Sequence, residues 1–88
     1  MEMQICRNVI AEMKNEFDSH AFILVLLQRY AAVYGQYLVE YNDVTLANAG
    51  ISNFLRNHTG ELCITQGEDV VSPNILGKMS KNASWRKN

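Results

Sequence analysis

The apolar residues of this 88-residue chain change their spacing at Gly60. Before it they recur at steps of three and four, the period of a helix that hides one face. Met3, Cys6, Val9, Ile10, Met13 and Phe17 form one such series; Phe22, Ile23, Leu26, Leu27 and Tyr30 form a second. Val33 or Tyr34, Tyr37, Leu38 and Tyr41 continue the pattern, and Leu46, Ala47, Ile51, Phe54 and Leu55 complete it. After Gly60 the apolar residues fall in short runs, Leu62 to Thr65, Val70–Val71 and Ile75–Leu76, parted by Gln66-Gly67, Ser72-Pro73-Asn74 and Gly77. Short runs between turn residues read as strands. The expectation is an α+β chain: three to four helices, then a small C-terminal β-hairpin, in one domain spanning 1–88. A chain of this length buries roughly 60% of its unfolded surface in one core and is too small for two.

The boundaries follow from capping and turn chemistry. Asp18 and Ser19 are good N-cap residues, so the first helix is expected to end near 15–17 and a second to run from Ser19 to Tyr30. Its run FILVLL also suits a buried strand, because short apolar runs are ambiguous by period alone. A break is expected between Ala31 and Gly35, then a short third helix to Tyr41. Asn42-Asp43 signals a turn, Thr45 is placed to cap the fourth helix, and Gly60 to end it. A last strand is expected over 83–87 with Trp85 facing the core, and GKMSKN between the strands reads as a polar basic loop.

Hydrophobic residues make up 48% of the chain and charged ones 19%, with a single proline, which argues against a linker or a disordered segment. The longest apolar run, Ala21 to Leu27, is too short to span a bilayer. The N-terminal stretch has acids in its apolar pattern and no basic n-region, unlike a secretory signal, so the expected location is cytoplasmic. The acceptor-like triplets at Asn57 and Asn82 are then chance matches. Cys6 and Cys63 stand far apart with no CxxC pair and no histidine at ligand spacing, so neither a metal nor any other cofactor is expected, and both thiols are expected to be buried and reduced.

The net charge of −1 hides an asymmetry. All nine acids lie at or before Asp69 with only Arg7, Lys14, Arg29 and Arg56 to offset them, whereas Lys78, Lys81, Arg86 and Lys87 crowd the end. Helices, a tight turn before the last of them, then a hairpin with a basic tip is the order of elements in a winged helix. There the last helix enters the major groove and the hairpin touches phosphate. The nucleic-acid candidates are Asn48, Ser52, Asn53, Arg56 and Asn57 on the helix, whose amides and guanidinium match adenine and guanine edges, and Lys78, Lys81, Arg86 and Lys87 after it. The plainer account of that helix is a solvated polar face, and of the basic end a solvated tail. Only Arg56 is a sure cation on the helix, and affinity for DNA comes largely from phosphate neutralisation.

Other clusters have plain explanations. Asp18-Ser19-His20 resembles the membership of a catalytic triad, but triad residues converge in space and are seldom adjacent in sequence; capping accounts for the first two. Both cysteines sit in apolar patterns, away from the electropositive setting a nucleophilic thiol requires. Tyr30, Tyr34, Tyr37 and Tyr41 form a stripe that suits packing or, alternatively, a homodimer contact. No paired carboxylates, nucleophile elbow or phosphate loop marks an enzyme. The expected function is therefore a non-enzymatic binding domain with duplex DNA as partner, the alternative being a homodimer or a module for another protein, without membrane or metal.

FDSHAFI (17–23) and NILGKMSKNASW (74–85) resemble the landmarks FDSHxFI and NIxGxxSxNxxW of a family of small bacterial proteins, a likeness that covers most of the chain after Asn15. The resemblance implies a compact bacterial domain and brings no activity or site residues with it. Where the family often carries an acid, this chain has Ala21.

Overall fold

The computed structural model describes residues 1–88. Five helices come in order, α1 (Met3–Ala11), α2 (Ser19–Arg29), α3 (Ala31–Tyr41), α4 (Val44–Asn57) and α5 (Thr59–Leu62). The strands are β1 (Glu16–Asp18), β2 (Ile64–Gln66), β3 (Val70–Pro73), β4 (Met79–Asn82) and β5 (Ser84–Lys87). The fold is α+β, mainly helical before a small antiparallel C-terminal part.

β1 interrupts the first helical pattern. Helix α1 closes at Ala11 through short-range bonds from Glu12 N to Val9 O and Met13 N to Ile10 O. Phe17, in phase with the apolar face of α1, lies instead on β1 opposite Trp85. The helix thus ends about four residues earlier than its period implies, because Phe17 gains more from pairing with the last strand. β5 runs antiparallel between β1 and β2, so Phe17, Trp85 and Gln66 stand side by side across the three strands. Trp85 is buried, as expected, and truncating a buried Trp typically costs about 3–5 kcal/mol, which makes it the largest anchor of the sheet.

Phe22, Ile23 and Leu26 on α2 are buried at the centre, against Cys6, Val9 and Ile10 of α1 and Ile51 and Leu55 of α4. FILVLL is therefore helix, and not strand. Burial pushes the Cys6 thiol up to about 12, so it stays protonated and inert. Cys63, by contrast, is exposed, against the expectation of a buried thiol: as the left-handed C-cap of α5 (φ 55) its thiol turns back to the carbonyl of Gly60.

The break between α2 and α3 falls at Tyr30 (φ −135, ψ 54), where the chain bends by 114°. Gly35 is interior to α3 and breaks nothing. No single helix is long and apolar enough to cross a membrane. Asn42 takes the left-handed conformation after α3, and Asp43, rather than Thr45, caps α4 by accepting from Leu46 N at 2.8 Å. Ala47, Ile51 and Leu55 carry the buried stripe of α4, whereas Leu46 points outward. α4 ends at Asn57, and Gly60 lies inside α5 instead of closing the longer helix.

β3 and β4 pair only with each other, from Val70 opposite Asn82 to Pro73 opposite Met79. The basic segment expected as a loop is in large part strand β4, and Ile75–Leu76, expected as strand, forms the turn. Asn74 explains this: its side-chain oxygen accepts from Leu76 N and Lys78 N, and its backbone from Gly77 N, while Gly77 supplies the left-handed corner (φ 78). The tyrosine stripe packs within the chain. Tyr34 is buried, Tyr30 and Tyr37 lie against the core, the Tyr30 hydroxyl accepts from Asn8, and Tyr37 stacks on Tyr41 at 6.1 Å.

Candidate functional site

The N-terminus of α2 and the β3–β4 hairpin meet through polar side chains. Asp18 caps α2 with one carboxylate oxygen, accepting from Ala21 N at 2.8 Å, and its other oxygen accepts from Ser72 Oγ at 2.7 Å. Asn82 Oδ1 accepts from His20 N at 2.8 Å, and its amide donates to Ser72 Oγ at 3.1 Å. Two free amides of the first helical turn are thus satisfied by side chains, one of them sent across from the hairpin. His20 sits inside this cluster. Its Nδ1 lies 3.1 Å from the carbonyl of Ser72 and 2.9 Å from Ser72 Oγ, and its Nε2 lies 3.3 Å from Ser80 Oγ.

Ser19 ties the same corner to the core. Its backbone N donates to Ala83 O, its hydroxyl accepts from Trp85 Nε1 at 3.0 Å, and the hydroxyls of Ser19 and Ser52 are 2.7 Å apart. Ser52 brings in the polar face of α4. Together α4, the start of α2 and the hairpin border a groove of about 420 Å³ whose lining includes Asn48, Ser52, Asn53 and Arg56, then Ser80, Lys81 and Asn82, with His20 and Asp69.

The polar residues of α4 are already oriented from within. Tyr34 donates its hydroxyl to Asn48 Oδ1 at 2.8 Å, and burial raises the Tyr34 phenol above its usual range, which keeps that proton in place. Arg56 is held by two neutral acceptors, Asn53 Oδ1 at 2.5 Å and Gln66 Oε1 at 3.3 Å. Arg29 pairs with Glu12, and His58 Nδ1 lies 3.1 Å from Glu61; neither Arg56 nor Lys81 has a carboxylate partner. Arg56 and Lys81 share the lining with a single carboxylate, Asp69, so cations outnumber acids there and the balance favours an anion.

Of the residues singled out in the sequence, Asn48, Ser52, Asn53, Arg56 and Lys81 share this groove. The others lie elsewhere. Asn57 is the last residue of α4, exposed and outside the groove, and Lys78 stands exposed at the hairpin turn. Arg86, on β5 opposite Glu16, lines a separate concavity of about 760 Å³ with Glu12, Lys14, Phe17 and Trp85. Lys87 turns back to donate its ammonium to the carbonyl of Met13 at 2.6 Å. The basic end is thus an ordered strand whose charges serve different faces. His20, Ser72, Ser80 and Asn82 escaped the sequence reading as a group because more than fifty positions separate His20 from the three hairpin residues. The one available signal was that both landmark stretches, FDSHAFI and NILGKMSKNASW, are rich in small polar residues. Comparison with protein families, curated proteins and solved structures gives no match for this chain.

Proposed function

We propose that the chain is a winged-helix-like binding domain in which α4 and the β3–β4 hairpin engage duplex DNA. The observation that carries this reading is the shared groove: Asn48, Asn53 and Arg56 of α4 and Lys81 of the hairpin border one concavity. The chain path supports it as well. β1 and β2 flank β5, the hairpin is inserted between β2 and β5, and the longest helix, α4, precedes them with only the short α5 between, close to the order of a winged helix. Asn53 and Arg56 would meet base edges or phosphates, and Lys81 and Lys78 the adjacent backbone.

With about three cations available, binding to random duplex should be weak and steeply dependent on salt, log K falling with log salt at a slope of about −3. Arg56→Gln and Lys81→Gln should each reduce that slope by about one, measured by fluorescence anisotropy on a labelled duplex. No detectable binding at low ionic strength, where these charges act most strongly, rejects the DNA reading.

One observation favours a protein partner instead. The outward face of the hairpin is largely apolar: Val71 is 62% exposed, Met79 64% and, at the turn, Leu76 63%. A second copy of the chain should show a rise in mass with concentration in light scattering that Met79→Ser abolishes; a strict monomer removes the homodimer.

A further inference from the structure

We propose that Ser80 is a nucleophile activated by His20, and that the groove binds and hydrolyses carboxylic esters. The inference rests on His20, Ser72 and Ser80, which the DNA reading does not use, and shares only the cations Arg56 and Lys81 with it.

The hydrogen-bond geometry fixes which ring nitrogen carries the proton. The carbonyl of Ser72, 3.1 Å from Nδ1, can only accept, so Nδ1 is protonated and the lone pair of the neutral ring lies on Nε2. Facing that lone pair at 3.3 Å is the hydroxyl of Ser80, which donates to it. This is the relation of a base to its nucleophile, with the base oriented from behind by a third group. Ser72 cannot take the same role, because its own proton is directed to Asp18 Oδ2 at 2.7 Å, and its oxygen accepts from Asn82. Asp18 therefore serves through Ser72: when Nδ1–H donates towards Ser72 Oγ at 2.9 Å, the carboxylate lies one hydroxyl beyond the imidazolium that forms. Asp18, Ser72 and Asn82 are positioning residues. Ser80 and His20 both line the groove and reach its space, and both are only half-buried.

The chemical steps balance within the groove. Ser80 Oγ bonds to the ester carbonyl carbon as its proton passes to His20 Nε2. The oxyanion develops in a groove whose lining also carries Arg56 and Lys81, neither paired to a carboxylate, and one acid, Asp69. Collapse breaks the bond to the alcohol, which leaves with the proton from Nε2. Water then adds to the acyl carbon as His20 takes its proton; the carboxylic acid departs and Ser80 Oγ recovers a proton from His20.

The test uses the full chain with a fluorophosphonate probe, which transfers its phosphonyl group to an activated serine and releases fluoride. Peptide mass mapping should find one label, on Ser80, absent in Ser80→Ala. His20→Gln should slow labelling at least tenfold, and Ser72→Ala should slow it while leaving the label on Ser80. Ser80→Ala removes a single hydroxyl, and unchanged Trp85 fluorescence checks that its fold is kept. p-Nitrophenyl butyrate should be hydrolysed at least tenfold faster by the native chain than by Ser80→Ala. No label, or a label that persists in Ser80→Ala, overturns the nucleophile; a label on Ser80 without ester hydrolysis overturns the substrate class.

Discussion

Asp18 shows how much a single residue carries in a chain this short. Its backbone pairs with Ser84 in the sheet, one carboxylate oxygen caps α2 and the other holds the hairpin through Ser72. Asp43 has the first kind of side-chain bond, to Leu46 N, and no other. Asp18→Ala should therefore cost about 2–3 kcal/mol, a cap and a half-buried charge-assisted bond, whereas Asp43→Ala should cost about 1 kcal/mol. Urea unfolding of the two variants makes the comparison, and equal losses would mean that the Ser72 bond contributes nothing. The capping role was legible, since Asp followed by Ser before an apolar run is a local signal. The bond to Ser72 was not, because no rule of spacing joins residues 54 positions apart. His20 is the same case: adjacency to Asp18 made a triad look improbable, and the partners that complete its surroundings come from the hairpin.

At the level of elements, local chemistry located the helices well and their ends less well. α2 and α4 follow their apolar periods, but Phe17 fits the period of α1 and lies on a strand, so tertiary pairing with Trp85 overrode a local preference. Gly35 misled in the opposite direction. Glycine is a poor helix former, yet α3 runs through it uninterrupted from Ala31 to Tyr41, held by burial of Tyr34 and by packing of Tyr37 and Leu38. A Cβ placed at Gly35 meets no atom within 4 Å. Gly35→Ala should then stabilise the chain by about 0.5–1 kcal/mol, from the freedom the unfolded chain loses, with a higher urea midpoint at unchanged slope as the readout. A lower midpoint would place a steric demand at this position that the packing does not contain. Gly50 is different: a Cβ there would stand 2.6 Å from the Tyr41 ring, so the glycine makes room for an aromatic side chain.

The whole molecule is closed by its extremes in sequence. β5 contributes the central strand, yet it comes last, and it pairs with β1 near the start and with β2 after the helices. The fold class was readable because the change of apolar spacing at Gly60 survives any error in boundaries. The sheet order was not, since it depends on a three-residue strand concealed in the pattern of a helix. Between β2 and β5 the chain leaves the sheet for the hairpin and comes back to the same place, Gly67 N donating to Ser84 O at 2.9 Å. An excursion that departs and returns through one doorway can lengthen, shorten or change its surface while the sheet and helices stay where they are. If descendants of this sequence were to acquire new partners, the hairpin is the part they could rewrite first, subject to one restraint: whatever replaces Ser72, Ser80 and Asn82 must still dock on Asp18 and His20.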